Sequence, residues 1–255
     1  MTMTIPSRAA RVARVLLPAA LLALSAGVPA AAQTQGERPF APGERLTYDV
    51  KFGSIKVGTG SLELRGIDQV RGEPAYHSLF RVKGSVPFYK VDDTFESWFA
   101  TDDLVSLRFV QDQNEGSKER QRRYEIYPER RTYDALTDPA PEQASSANPL
   151  DDASFLYFLR TVPLEVGKSY SFNRYFKPDR NPITIRVLRK ERVTVPAGTF
   201  DAVVVQPVIK AKGIFSEGGK AEVWLSDDDR RLMLQLKSKL SFGSLNLYLT
   251  SARAG

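Results

Sequence analysis

From residue 46 onward the chain repeats one pattern, an apolar side chain at every second position with polar or charged ones between. Leu46, Tyr48, Val50 and Phe52 share one parity, and Thr47, Asp49 and Lys51 the other. Ile183, Ile185 and Val187 oppose Thr184 and Arg186. Leu232, Leu234, Leu236 and Leu240 oppose Gln235, Lys237 and Lys239, and Leu245, Leu247 and Leu249 oppose Asn246, Tyr248 and Thr250. Successive side chains on an extended chain point to opposite faces, so period two builds strands with one buried and one wet face. The same reading places strands near 56–66, 75–83, 90–100, 104–112, 119–127, 169–177, 200–210 and 220–226.

Turn residues separate these runs at short intervals: Arg71-Gly72-Glu73-Pro74, Asn114-Glu115-Gly116-Ser117, Pro196-Ala197-Gly198-Thr199 and Ser216-Glu217-Gly218-Gly219. Short strands with such punctuation predict a meander, sandwich or barrel. Gly53, Gly58 and Gly60 fall in an early strand pair, where glycines mark the bulges that a curved sheet needs. One stretch breaks the pattern. Residues 151–160 predict a short helix, capped by Asp151 or Asp152 and stopped by Pro163. Its middle is apolar nearly all round, so it belongs inside. The Pro-, Ala- and Ser-rich residues 137–149 before it read as a mobile loop. The expected fold is all-β: a large, strongly curved antiparallel sheet, an open barrel or β-spiral, with one short buried helix.

The first 32 residues stand apart from that fold. Arg8, Arg11 and Arg14 precede the short apolar run 15–24, and small residues ending in Ala30-Ala31-Ala32 follow. This is the order of a cleavable signal peptide read by the Sec route, cut before Gln33. The run is too short and too broken by Pro18, Ser25, Gly27 and Pro29 to span a membrane. A single β-rich envelope domain over 33–255, periplasmic or fully secreted, is the expectation, with no transmembrane segment after cleavage. Half of the formal charge of +6 resides in the three leader arginines, which weakens any nucleic-acid reading. There is no cysteine, so a packed core rather than disulfides must hold the fold, and thiol catalysis and thiolate metal sites are excluded. The one histidine, His77, excludes a multi-histidine zinc site within one chain. Lying in a strand, it reads as a structural polar residue rather than a base.

Three stretches are distinctive: Phe40 to Val50, Val195 to Ala202, and Val223 to Leu232 with its turn Ser226-Asp227-Asp228-Asp229. Together with the 151–160 helix, and in this order, they make the chain resemble the bacterial envelope family catalogued as domain of unknown function 3108, from about Phe40 to Leu249. Arg231-Leu232-Met233 stands where that family would carry a proline. The resemblance implies an exported β-rich protein and no established reaction. Physically the motifs read as turns. The strand after the second, Phe200 to Val205, is apolar on both faces and should be covered on both.

No residues present a nucleophile–base pair, so no catalytic residue, metal or cofactor is assigned. The acidic turn 227–229 lacks the alternating ligands of a calcium loop. Adjacent carboxylates such as Asp92-Asp93 face opposite ways on a strand and cannot act as a hydrolytic pair. Lys118, Arg120 and Arg122 form one row, read as the solvent face of an edge-guarding hairpin, or else as a patch for anionic head groups. The leading expectation is a monomeric, non-enzymatic carrier with an apolar or lipid ligand in the sheet's hollow. Phe155, Leu156, Tyr157 and Phe158 would form a lid, and Phe95, Trp98 and Trp224 the lining. An envelope scaffold binding another protein, or a glycan hydrolase, are the alternatives.

Overall fold

In the computed structural model, residues 38–86, 89–137, 140–210, 215, 221–240 and 243–255 are described. The proposed leader and the turn at 216–219 lie outside them. The period-two runs form strands throughout: β1 (Arg45–Phe52), β2 (Ile55–Val70), β3 (Glu73–Val86), β4 (Tyr89–Ala100), β5 (Ser106–Glu115), β6 (Lys118–Tyr127), β7 (Thr132–Ala135), β8 (Gln143–Ala144), β9 (Ser169–Phe172), β10 (Ile183–Val195), β11 (Gly198–Val208), β12 (Glu222–Ser226), β13 (Met233–Leu240) and β14 (Gly243–Arg253). All fourteen belong to one antiparallel sheet in the order β8-β7-β6-β5-β4-β3-β2-β1-β14-β13-β12-β11-β10-β9. The chain therefore writes two meanders. The first and last strands pair in the middle of the sheet, and the middle of the chain supplies both edges.

The sheet does not close by strand pairing. Its edges are sewn by irregular backbone instead. Leu150 N–H donates to Arg174 O at 2.5 Å, Phe176 N–H donates to Leu150 O at 2.9 Å, and Leu150 and Tyr175 form a parallel bridge. Ser106 N–H adds a bond to Pro149 O at 2.7 Å. Register shifts at 47/48, 50/51, 64/66, 98/99, 187/189 and 224/225 supply the local bends that such a wrapped sheet needs. Gly58 shows why glycine is required in the β2–β3 pair: a Cβ there would lie 1.9 Å from Lys83 O.

Helix α1 (Ser154–Leu159) lies inside the wrap with all six residues buried. Its start is held by Asp151, whose Oδ1 accepts the backbone N–H groups of Ala153 (2.8 Å) and Ser154 (2.9 Å). Asp151 Oδ2 accepts Ser97 Oγ at 2.5 Å and Ser106 Oγ. The 137–149 stretch is not the open loop its composition suggests. Gln143-Ala144 pairs with β7, Ser145 N–H bonds Arg131 O at 2.7 Å, and Ser146 Oγ bonds Tyr175 O at 2.6 Å. The strand expected over 169–177 ends at Phe172: beyond it Arg174 to Phe176 bond Leu150 instead of β10, and Pro178 then opens the 3₁₀ turn η1 (Pro178–Arg180).

Antiparallel order puts alternate turns at opposite ends. The lower rim holds the β1–β2, β3–β4, β5–β6 and β13–β14 connections, and the upper rim holds β2–β3, β4–β5, β6–β7, β10–β11 and β12–β13. No helix among the described residues is long and apolar enough to cross a membrane.

Candidate functional site

The β5–β6 hairpin sets the geometry of the lower mouth. Gly116 at φ +63° makes a two-residue turn possible, and Glu115 then pairs with Lys118. That register places Gln111 opposite Arg122 and Phe109 opposite Tyr124. Followed across neighbouring strands, one inner-face row reads Leu46–Leu62–Phe80–Phe95–Gln111–Arg122. It begins in fully buried leucine, passes the Phe80–Phe95 ring pair at 6.0 Å, and ends in a guanidinium whose Nη1 donates to Gln111 Oε1 at 3.3 Å.

Lys118, Arg120 and Arg122 share the parity of Tyr124 and Ile126, both buried in the core. The basic row thus lies on the side of β6 that faces the core further along, while Lys118 and Arg120 themselves are exposed to solvent at the end of the hairpin, as expected of an edge. β7 pairs with β6 only over Tyr124–Tyr127, so the row has β5 as its ladder partner among the described residues and continues the core-facing side of β6 beyond the core. The signal in the sequence was the unbroken even-number parity from 118 to 126.

Two further cations converge on Arg122. Lys177 precedes Pro178 and adopts the extended backbone that a residue before proline favours (φ −90°, ψ 111°). Asn181 ties this segment down: its Oδ1 accepts Tyr175 N–H at 2.8 Å, and its Nδ2 donates to Tyr175 O and Ser146 Oγ at 2.9 and 2.8 Å. Lys177 Nζ donates to Tyr124 OH at 3.0 Å and lies 4.5, 5.2 and 5.7 Å from the ring centres of Tyr124, Phe176 and Tyr133. Arg180 Nη1 donates to Tyr175 OH (3.1 Å), which donates to Asp152 Oδ1 (2.9 Å). Among the described residues, no carboxylate oxygen lies within ion-pair distance of Arg122, Lys177 or Arg180. Burial, reinforced by the charges of Arg180 and Arg122, pushes Lys177 down to about 8. Burial raises Asp152, and the Tyr175 hydroxyl and the three cations only partly offset it. On the same inner face, burial lifts Asp93 to about 6, with Glu115 adding to the shift. The arrangement can hold an anion against an aromatic wall, with the packed apolar core behind it.

The seven residues expected to bind a ligand separate into two groups. Phe155, Leu156, Tyr157 and Phe158 lie in the core, and Phe95 packs against the same cluster. Phe155 meets Phe215 at 5.6 Å, Tyr157 meets Phe40 at 5.0 Å and Phe99 at 5.4 Å, and Phe158 meets Phe172 at 5.0 Å. Trp98 is half-buried on the outer face beside a small separate cluster, whereas Trp224 is 3% exposed within the main core cluster. Trp98 Nε1 donates to Asp68 Oδ2 at 2.8 Å, and its ring stacks on His77 at 4.3 Å. Trp224 Nε1 donates to Glu191 Oε1 at 2.6 Å, with Lys237 Nζ 5.0 Å from the ring. Parity explains the miss for Trp98: three residues apart on a strand, Phe95 and Trp98 cannot share a face. His77 faces carboxylates with both nitrogens, Asp68 at 3.2 Å and Glu96 at 3.3 Å.

The distinctive stretches meet at the upper rim, in a node that sequence reasoning missed. Arg160, fully buried, donates to Glu44 Oε1 (2.6 Å) and Oε2 (2.9 Å), to Pro39 O (2.6 Å) and to Arg230 O (2.9 Å). Arg231 donates back to the carbonyls of Arg160 (3.3 Å) and Val162. Asp227 N–H bonds Asp201 O at 2.9 Å, joining the second stretch to the third. Asp228 closes its own turn on Ser226 Oγ (2.6 Å) and the Arg230 and Arg231 N–H groups. This is the work of a structural turn. Among the described residues, no group of three or more His, Asp or Glu side chains is placed to hold a metal ion. With Arg160 fixed at one end and Asp151 at the other, α1 is an anchored plug rather than a hinged flap.

A family model described as "Protein of unknown function (DUF3108)" matches residues 47–250. No curated protein matches. Among solved structures, a "Beta-barrel-like Protein of Domain of Unknown Function DUF1849" from Brucella abortus superposes with a TM-score of 0.52 at 8% identity, covering 85% of this chain and 99% of that one. A "putative lipoprotein" from Parabacteroides distasonis is found at a TM-score of 0.33 and 11% identity, covering 85% of this chain and 97% of that one. The first shares the fold, and the second likeness is too distant to argue from.

Proposed function

The chain belongs to the DUF3108 family, and from that premise we propose that it is an exported envelope protein that binds an anionic amphiphile without transforming it. The observation that carries this reading is the inner-face row from Leu62 through Phe80 and Phe95 to Gln111 and Arg122. An acyl or similar apolar tail would lie along the phenylalanines, and its acidic head at Arg122, Lys177 and Arg180. Such a mouth follows the usual logic of small-molecule sites, mostly apolar with a few converging polar groups. The carrier reading thereby loses its lid, since α1 is anchored, and gains an entrance at the lower rim. The leader read from the sequence supports export.

The test is mass spectrometry of organic extracts from the purified protein and from its Phe95→Arg variant. The expected result is an acidic amphiphile recovered near one per chain from the first and lost from the second. Repeated recovery of no acyl compound would sink the reading. So would in-cell crosslinking that yields one dominant protein partner at Arg122 and Lys177 while extracts stay empty.

A further inference from the structure

The lysines of this chain are segregated by rim. At the lower rim the β1–β2 turn is flanked by Lys51 and Lys56, the β3–β4 connection by Lys83 and Lys90, and the β5–β6 turn by Lys118; β11 runs out to Lys210. Lys237 lies on the strand leading to the β13–β14 connection. At the upper rim the turns at 71–72, 101–105, 128–131, 196–197 and 227–232 contain no lysine, and two of them are acid-rich, with Asp102-Asp103 and Asp227-Asp228-Asp229. Lys168 and Lys190 are the described lysines that lie away from the lower rim, and Lys190 is paired with Asp227 at 2.7 Å.

Few of the lower-rim lysines are neutralised. Lys56 pairs with Asp49 at 2.6 Å and Lys83 reaches Asp92 at 3.7 Å. Lys90, Lys118 and Lys210 are exposed and carry no ion pair among the described residues. Ile55, beside Lys56 at the β1–β2 turn, is 69% exposed, the most exposed large apolar side chain described. Leu136, where the chain leaves β7 at the same end, is 54% exposed.

A ring of flexible ammonium groups around apolar tips matches a diffuse anionic surface better than it matches one bound molecule. Lysine stems extend freely and present point charges without the fixed fork of arginine. We infer that the lower rim docks on an anionic lipid surface, with lysines meeting head groups and Ile55 entering the interface. A basic ring with apolar insertion is the usual physical basis of such reversible attachment. This inference is independent of a ligand in the hollow, because it reads adhesion of the rim and requires nothing bound inside. If both hold, the mouth opens toward the bilayer.

The experiment is vesicle flotation of the protein as purified from the producing cell. One set of vesicles mixes phosphatidylglycerol with phosphatidylcholine, and the other is phosphatidylcholine alone. Two variants with the same change in net charge are compared, Lys56→Glu/Lys90→Glu at the lower rim and Lys168→Glu/Lys190→Glu elsewhere. The two variants keep the same N-terminus, so any contribution from a retained leader cancels. With each surface lysine contributing about fivefold to partitioning, the first variant should lose at least ~25-fold on phosphatidylglycerol vesicles and the second under about threefold. Raising salt should weaken wild-type binding. Equal partitioning onto both vesicle types, equal losses in the two variants, or indifference to salt would overturn the docking proposal. Should the glutamate variant fail to fold, Lys56→Gln/Lys90→Gln reads the same contrast at smaller amplitude.

Discussion

The two rims use charge in opposite ways. At the upper rim Arg160 is fully buried and matched: Glu44 takes two of its bonds and backbone carbonyls take two more. At the lower rim Arg122, Lys177 and Arg180 are partly open and lack a direct ion pair among the described residues; Lys177 is repelled by the other two, and the buried Asp152 attracts all three. Buried, paired charge fixes one arrangement of chain segments, because breaking it strands an ion in apolar surroundings. Charge at a mouth without a direct ion pair fixes the fold less and leaves part of its attraction available to something else. The motifs that carry the family resemblance converge on the first kind of site, so they report how the plug is held rather than what the protein binds.

The sharpest way to break this contrast is to mutate both rims and compare stabilities. Arg160→Met leaves Glu44 buried without its partner and should cost about 3–5 kcal/mol in urea unfolding. Glu44→Leu combined with Arg160→Met should recover much of that loss, since a buried pair replaced by apolar groups is often tolerated. If Arg160→Met unfolds at the wild-type midpoint, the upper rim is not a lock and the contrast fails.

A second effect, smaller and dependent on pH, comes from carboxylates at both levels of the barrel. Burial holds Asp151 at about 6 and Asp93 at about 6, against 3.8 for an ordinary aspartate. Both folded values are raised, so the folded protein retains protons that the unfolded chain has released. Their contribution is therefore fully present below about pH 4 and is lost as pH rises through about 6. Each group should lower stability by on the order of 1–3 kcal/mol across that window. Asp93→Asn should flatten part of the slope without moving the α1 plug, whereas Asp151→Asn should flatten part of it and also weaken the cap by about 1 kcal/mol. A urea midpoint that rises between pH 4 and 6 in the wild type would contradict both assignments.

The sequence made the sheet legible because period two is a property of the strand itself. Leu46 to Phe52 or Leu245 to Leu249 needs no knowledge of its neighbours to declare a buried face. The helix was legible for a similar reason, since Asp151, an apolar middle and Pro163 are local signals. What was not legible depended on register. That Phe95 meets Gln111, and Gln111 meets Arg122, follows from a two-residue turn at Gly116 and a register shift at 98/99. Lys177 reaches Tyr124 across a seam between strands far apart in the chain. Trp98 looked like lining, yet its indole bonds Asp68 and its ring stacks on His77, apart from the main core. Large aromatic size marks a residue as well packed and leaves open which face it packs on.

The finest prediction isolates the lower rim. Lys177 is held near 8, below its unfolded value of 10.5. A base with a depressed folded value destabilises while charged, so the wild type should gain stability as pH rises from about 8 to 10.5, where the unfolded chain binds the extra proton. Lys177→Met keeps the stem against Tyr124, Phe176 and Tyr133 but removes the charge. It should leave stability at neutral pH within about 1 kcal/mol of wild type, or raise it, and abolish the alkaline gain. The same variant should lose affinity for an acidic amphiphile while keeping any affinity for its uncharged ester. A destabilisation as large as that of Arg160→Met would mean that Lys177 is a structural ion like its upper-rim counterpart. The lower-rim cations would then be part of the lock, and a site for a ligand would have to be sought elsewhere in the barrel.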